Sequence, residues 1–71
     1  MDTARHTDAL RTSGLRVTQG RLAVLRVLGA HPHVDAETVY RAVLPALPGT
    51  SIQNIHNVLG DLTAAGLLRR I

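Results

Sequence analysis

SIQNIHNVLGDLTAAGLLRRI, residues 51–71, predicts a helix, a glycine stop and a short strand. Ser51 is a good N-cap, because its hydroxyl can accept a hydrogen bond from a first-turn N–H. Ile55, Val58, Leu59 and Leu62 follow at i, i+3, i+4 and i+7, the spacing of one apolar helix face. At about 100° per residue, Gln53, Asn57, Gly60 and Ala64 fall opposite that face, with Asn54 and His56 flanking them. Gly66 then stops the helix, and LLRRI has strand character.

Outward from this stretch, the chain reads as three more helices. Upstream of the turn LPGT, Val39, Tyr40, Val43, Leu44 and Leu47 keep helical spacing behind Asp35, an N-cap, and Glu37, an acid that suits the first turn. Pro45 should end that helix near Leu44 or kink it. The segment HPHV interrupts the chain before it, because Pro32 constrains its predecessor. Thr18 caps a further helix that runs to about Leu28, with Leu22, Val24, Leu25 and Leu28 on its apolar side. Gly20 in its first turn costs about 0.8–1 kcal/mol relative to alanine. A weaker helix over roughly residues 3–12 stops at Gly14. The expected fold class is mainly α, four helices plus one short strand, in a single domain spanning 1–71, without repeats, low-complexity tracts or linkers.

Composition narrows the function. Seventy-one residues make a domain that buries only about 60% of its unfolded surface. Tyr40 is the one aromatic residue, so the core must be aliphatic. Without cysteine, disulfides, thiolate metal sites and thiol catalysis are excluded. Apolar runs fall far short of the roughly 20 residues of a membrane span. MDTARHTDAL carries acids and no apolar stretch, so it is not a signal peptide, and a cytoplasmic location is expected. All eight basic residues are arginine, and the net charge is +3. Arg16, Arg21 and Arg26 gather between residues 16 and 30 with no acid among them, and Arg69 and Arg70 lie at the C-terminal end. Clustered arginines fit a polyanion such as nucleic acid, although they also fit a solvated basic surface. No nucleophile–base pair or phosphate loop is present, so an enzyme is not expected.

Two helices joined by a short turn, the second exposing amides, suggest a helix-turn-helix that binds double-stranded DNA. Asn and Gln can each make two hydrogen bonds to the N6 and N7 edge of adenine in the major groove. Gln53, Asn54, His56 and Asn57 are therefore the candidates for base readout, and Gly60 and Ala64 would permit close approach. The bland alternative is that these amides are only a solvated face. That helix has one charged side chain, Asp61, so affinity must come from elsewhere: Arg16, Thr18, Arg21, Ser51, Arg69 and Arg70 are the candidate phosphate contacts. His31, His33 and Asp35 lie close in sequence but fall short of the roughly four ligands of a closed metal site. No cofactor is expected for the chain by itself. A reading from another class is a small helical protein-interaction module that pairs through the LLRRI edge.

LRVTQGRLAVLRVL, HPHVDAETVY and SIQNIHNVLGDLTAAGLLRRI together resemble the N-terminal DNA-binding domain of the ferric uptake regulator family, over about residues 10–71. The closest likeness is to the branch that represses catalase-peroxidase genes. The resemblance implies a winged helix-turn-helix, with LLRRI as the first strand of an incomplete wing. It implies a repressor of metal- or peroxide-responsive genes, and a missing second domain for dimerisation and for zinc and a regulatory iron or manganese. The chain is thus expected to be truncated relative to the family. Arg16 and Thr18 match the pattern before the second helix, and Arg21 matches the arginine after it, with Gln19 and Gly20 replacing the family's proline and glutamine. His33 matches a histidine lent to the regulatory metal, a role that needs the missing second domain. His56 replaces the family's DNA-contacting tyrosine, and Pro45 is a further departure.

Overall fold

A computed structural model of the chain describes residues 2–31 and 33–68, with side chains from residue 4 onward. It contains α1 (Asp2–Thr12), α2 (Gln19–Ala30), α3 (Ala36–Val43) and α4 (Ile52–Ala64). Helix α1 lies against α2, and α2, α3 and α4 pack on one another in pairs.

Local chemistry starts and stops these helices. Thr18, Asp35 and Ser51 have extended backbone and accept hydrogen bonds from the N–H groups of Arg21, Thr38 and Asn54 at 3.1, 2.8 and 3.1 Å. Each satisfies a donor that has no partner within its helix. Helices α1 and α4 end alike. Gly14 and Gly66 take positive φ, 79° and 81°. Leu15 N–H then reaches back to Leu10 C=O, and Leu67 N–H to Leu62 C=O, both at 2.9 Å. Gly14 and Gly66 donate to Arg11 and Thr63, completing a Schellman motif at each end.

Pro45 ends α3 without kinking it. Leu44 keeps helical dihedrals as the C-cap, and Leu47 N–H returns to Val43 C=O at 2.9 Å. Thr50 N–H to Leu47 C=O closes a turn over Pro48 and Gly49, delivering Ser51 to cap α4. Helix α2 runs two residues past the expected Leu28, because His31 N–H still reaches Val27 C=O.

The core is aliphatic: Leu10 from α1; Leu22, Ala23, Val24 and Leu25 from α2; Val39 and Val43 from α3; Ile55, Val58 and Leu62 from α4. Among the described residues none that is polar or charged is buried. Two expectations need correction. Leu59 is only partly buried, at the edge of the α4 stripe, because the arc that faces α2 and α3 is centred on Ile55, Val58 and Leu62. The expected strand is absent among the described residues. The Schellman turn folds Leu67 and Leu68 back as a bend against the core, and no described segment lies alongside to complete a ladder. The described residues are therefore all-helical, and the start of a wing is not seen in them. Pro32 and Arg69–Ile71 lie outside them.

Two outcomes follow for stability. Leu62 is 0% exposed, so Leu62→Ala should cost about 2–5 kcal/mol, much of the total for so small a domain. Leu59→Ala should cost clearly less; equal losses in urea melts would place Leu59 back in the core. The Thr38 hydrogen bonds hold the Asp35 carboxyl below its ordinary value. A lowered folded value means the cap's contribution is complete above the unfolded value of about 3.9 and is lost as pH falls through the folded one. Asp35→Asn keeps a capping oxygen but cannot titrate there. The variant should therefore lose less stability than the wild type as pH falls from 5 to 2 in parallel denaturant melts.

Candidate nucleic-acid interface

Because α4 buries Ile55, Val58 and Leu62, its other side must face solvent, and Gln53, Asn54, His56 and Asn57 are all exposed. They do not form one surface. Gln53 and Asn57 sit on the crown, where the Gln53 side-chain N–H donates to Asn57 Oδ1 at 3.2 Å. That bond orders both amides and leaves donors and acceptors free on each. Asn54 turns toward α2, and its amide donates to the Thr50 hydroxyl at 3.1 Å. His56 turns the other way, toward α3.

A groove flanks α4 on each side. The one toward α2, about 520 Å³, is lined by Arg16, Thr18, Gly20 and Arg21 on one wall and Asn54, Asn57, Val58 and Asp61 on the other. The one toward α3, about 680 Å³, carries Asp35, Glu37, Tyr40 and Arg41 with Ile52 and His56. Their charges differ. The α3 groove holds two carboxylates, Glu37 being paired with Arg41, while the α2 groove holds two arginines and one carboxylate. A phosphate chain would be repelled on the α3 side and attracted on the α2 side.

The candidate phosphate contacts fare differently. Arg16 is exposed, and its guanidinium makes no hydrogen bond or ion pair among the described residues. Thr18 and Ser51 each accept a capping hydrogen bond at the hydroxyl oxygen, and their O–H groups can still donate to a phosphate. Arg21, expected as a phosphate contact, has its guanidinium engaged on two internal acceptors. Its Nη1 donates to Arg16 C=O at 2.7 Å, and its Nη2 to Asp61 Oδ2 at 3.1 Å. Asp61, which the sequence reading gave no role, is therefore part of this wall. Arg21 and Asp61 are 40 residues apart, and no periodicity or motif could have joined them. Arg69 and Arg70 lie outside the described residues.

No group of three metal-ligating side chains occurs among the described residues. His31 and His33 are exposed, and Asp35 is engaged by Thr38. These residues do not fit a metal ion by themselves. No helix among the described residues is long and apolar enough to cross a membrane.

Residues 12–71 match the profile of the ferric uptake regulator family. Transcriptional regulator FurA of Mycobacterium tuberculosis is 53% identical over 66 residues, which cover 93% of this chain and 45% of that protein. Ferric uptake regulation protein 1 of Mycolicibacterium fortuitum is 51% identical over 65 residues, 92% of this chain and 40% of that protein. Peroxide-responsive repressor PerR of Staphylococcus aureus is 34% identical over 64 residues, 89% and 43% respectively. The chain thus spans less than half the length of these relatives. No solved structure matches it.

The crown of α4 is open above Gly60, where an added Cβ would meet nothing within 4 Å. Gly60→Ala should raise stability by about 0.8–1 kcal/mol, the propensity difference inside a helix. A lower melting temperature for this variant would show that the helix backbone at Gly60 is irregular.

Proposed function

Because this chain belongs to the ferric uptake regulator family, we propose that it is the DNA-binding part of a transcription regulator of metal- or peroxide-responsive genes. The proposal is of a repressor and not an enzyme, with α4 as the recognition helix in the major groove. The observation that carries this is the crown of α4. It is an uncharged, amide-bearing surface, with the Arg16 guanidinium, which pairs with none of the described residues, beyond one flank. Amides supply paired donors and acceptors for adenine edges, while an arginine supplies affinity without sequence preference.

In this reading Gln53 and Asn57 read bases, and Asn54 and His56 contact the groove walls on either side. Arg16 holds a phosphate, aided by the positive N-terminal end of α2. Thr18 and Ser51 act by fixing the helix starts that aim these groups. Arg69 and Arg70 are further candidate phosphate contacts. Regulation by zinc, iron or manganese, a role for His33 in it, and homodimerisation are assigned to the full-length regulator, and a cytoplasmic location goes with binding DNA. The rival reading, pairing through an LLRRI edge, rests on a stretch of which only Leu67 and Leu68 are described, and these two pack as a bend.

The test is a salt titration against a duplex selected from a random pool and against an unselected duplex. Arg16→Ala should weaken binding to both and make the slope of log K against log salt shallower by about 0.9. Gln53→Ala or Asn57→Ala should cost about 1–3 kcal/mol on a selected A·T-containing site and little on the unselected duplex. If both amide substitutions are silent on every duplex, the crown is a solvated face and the reading fails.

A further inference from the structure

The Arg21–Asp61 contact does more than join two helices. Arg21 is fixed at three points: its N–H to the Thr18 hydroxyl, its Nη1 to Arg16 C=O, and its Nη2 to Asp61. The Arg21 side chain is 18% exposed and that of Asp61 52% exposed. The cation is therefore tucked in and the anion stands outside it, in the groove where a phosphate chain would run. On α4, Asp61 follows Asn54 and Asn57 at i+7 and i+4, so the carboxylate continues the amide wall. It is the single charged residue of α4.

We propose that Asp61 limits the sequence-independent part of the affinity: by holding Arg21 and placing a negative charge beside the amides, it withholds one phosphate contact from the interface. The proposal rests on α4 being the recognition helix. Phosphate contacts strengthen binding to every sequence alike, whereas base contacts discriminate. Removing one phosphate contact therefore lowers affinity for every sequence by the same factor and leaves the discrimination between sequences to the amides of Gln53 and Asn57. Arg21 is then a positioning residue, tying the start of α2 to the middle of α4, and Arg16 is the groove's available cation.

The test compares the wild-type chain with Asp61→Asn and with the double variant Arg21→Gln/Asp61→Asn, on an unselected duplex and a selected one. An exposed ion pair adds little to stability, and thermal melts confirm that each variant is folded. Asp61→Asn should bind the unselected duplex more tightly, about tenfold at ~0.1 M salt, with a slope steeper by about 0.9. It should bind the selected duplex more tightly by the same factor. The double variant, in which neither charge remains, should return to the wild-type slope and affinity. An Asp61→Asn protein with wild-type slope and affinity overturns the proposal, as does a double variant that keeps the steeper slope. If the wild type binds neither duplex even at low salt, the DNA-binding reading itself falls and takes this inference with it. A wild type that binds while Asp61→Asn changes nothing leaves that reading standing and removes only this one.

Discussion

Burial of Ile55, Val58 and Leu62 beneath α2 and α3 is the contact on which the rest of this molecule depends. One aromatic residue and no cysteine leave the chain only aliphatic side chains with which to exclude water. Of the ten buried among the described residues, helix α4 supplies three, and α2 supplies four from the single run Leu22–Leu25. Since α4 is held by its inner arc, its outer arc has no freedom to turn inward, and Gln53 and Asn57 are committed to solvent. The exposed amide face is thus a consequence of core packing.

The two grooves beside α4 follow from the same packing. Helix α2 brings a cationic start to one flank, and α3 brings an acid-capped start to the other. The two helix N-termini would each attract an anion through their free N–H groups. Asp35 and Glu37 offset that attraction at α3, whereas Arg16 reinforces it at α2. A polyanion meeting this surface would be attracted to one side of α4, an attraction that the Asp61 carboxylate in the same groove weakens.

Rigidity at this surface comes from small local bonds. Ser51 pins the first turn of α4, Thr50 holds Asn54, and Gln53 holds Asn57. Each bond is weak in net terms, about 1 kcal/mol. Together they restrict side chains whose ordering would otherwise be a cost of binding.

Local chemistry was legible in the sequence. Thr18, Asp35 and Ser51 were readable as caps, and Gly14 and Gly66 as stops, because a cap or a Schellman turn joins residues at most five apart. The apolar period likewise showed which side of α4 faces out. Tertiary structure decided the rest. Val58 and Leu59 are adjacent and both on the apolar stripe, yet only Val58 is buried, since the neighbouring helices set the centre of the buried arc. Asn54 and His56 were read together as flanks of one face, and packing sent them to grooves of opposite character. LLRRI looked like a strand by composition, but a strand needs a partner, and the turn at Gly66 returned Leu67 to the core. Arg21 was a free cation in one dimension and a paired one in three. Its partner Asp61 lies 40 residues on, and only the fold brings two such charges within 3.1 Å.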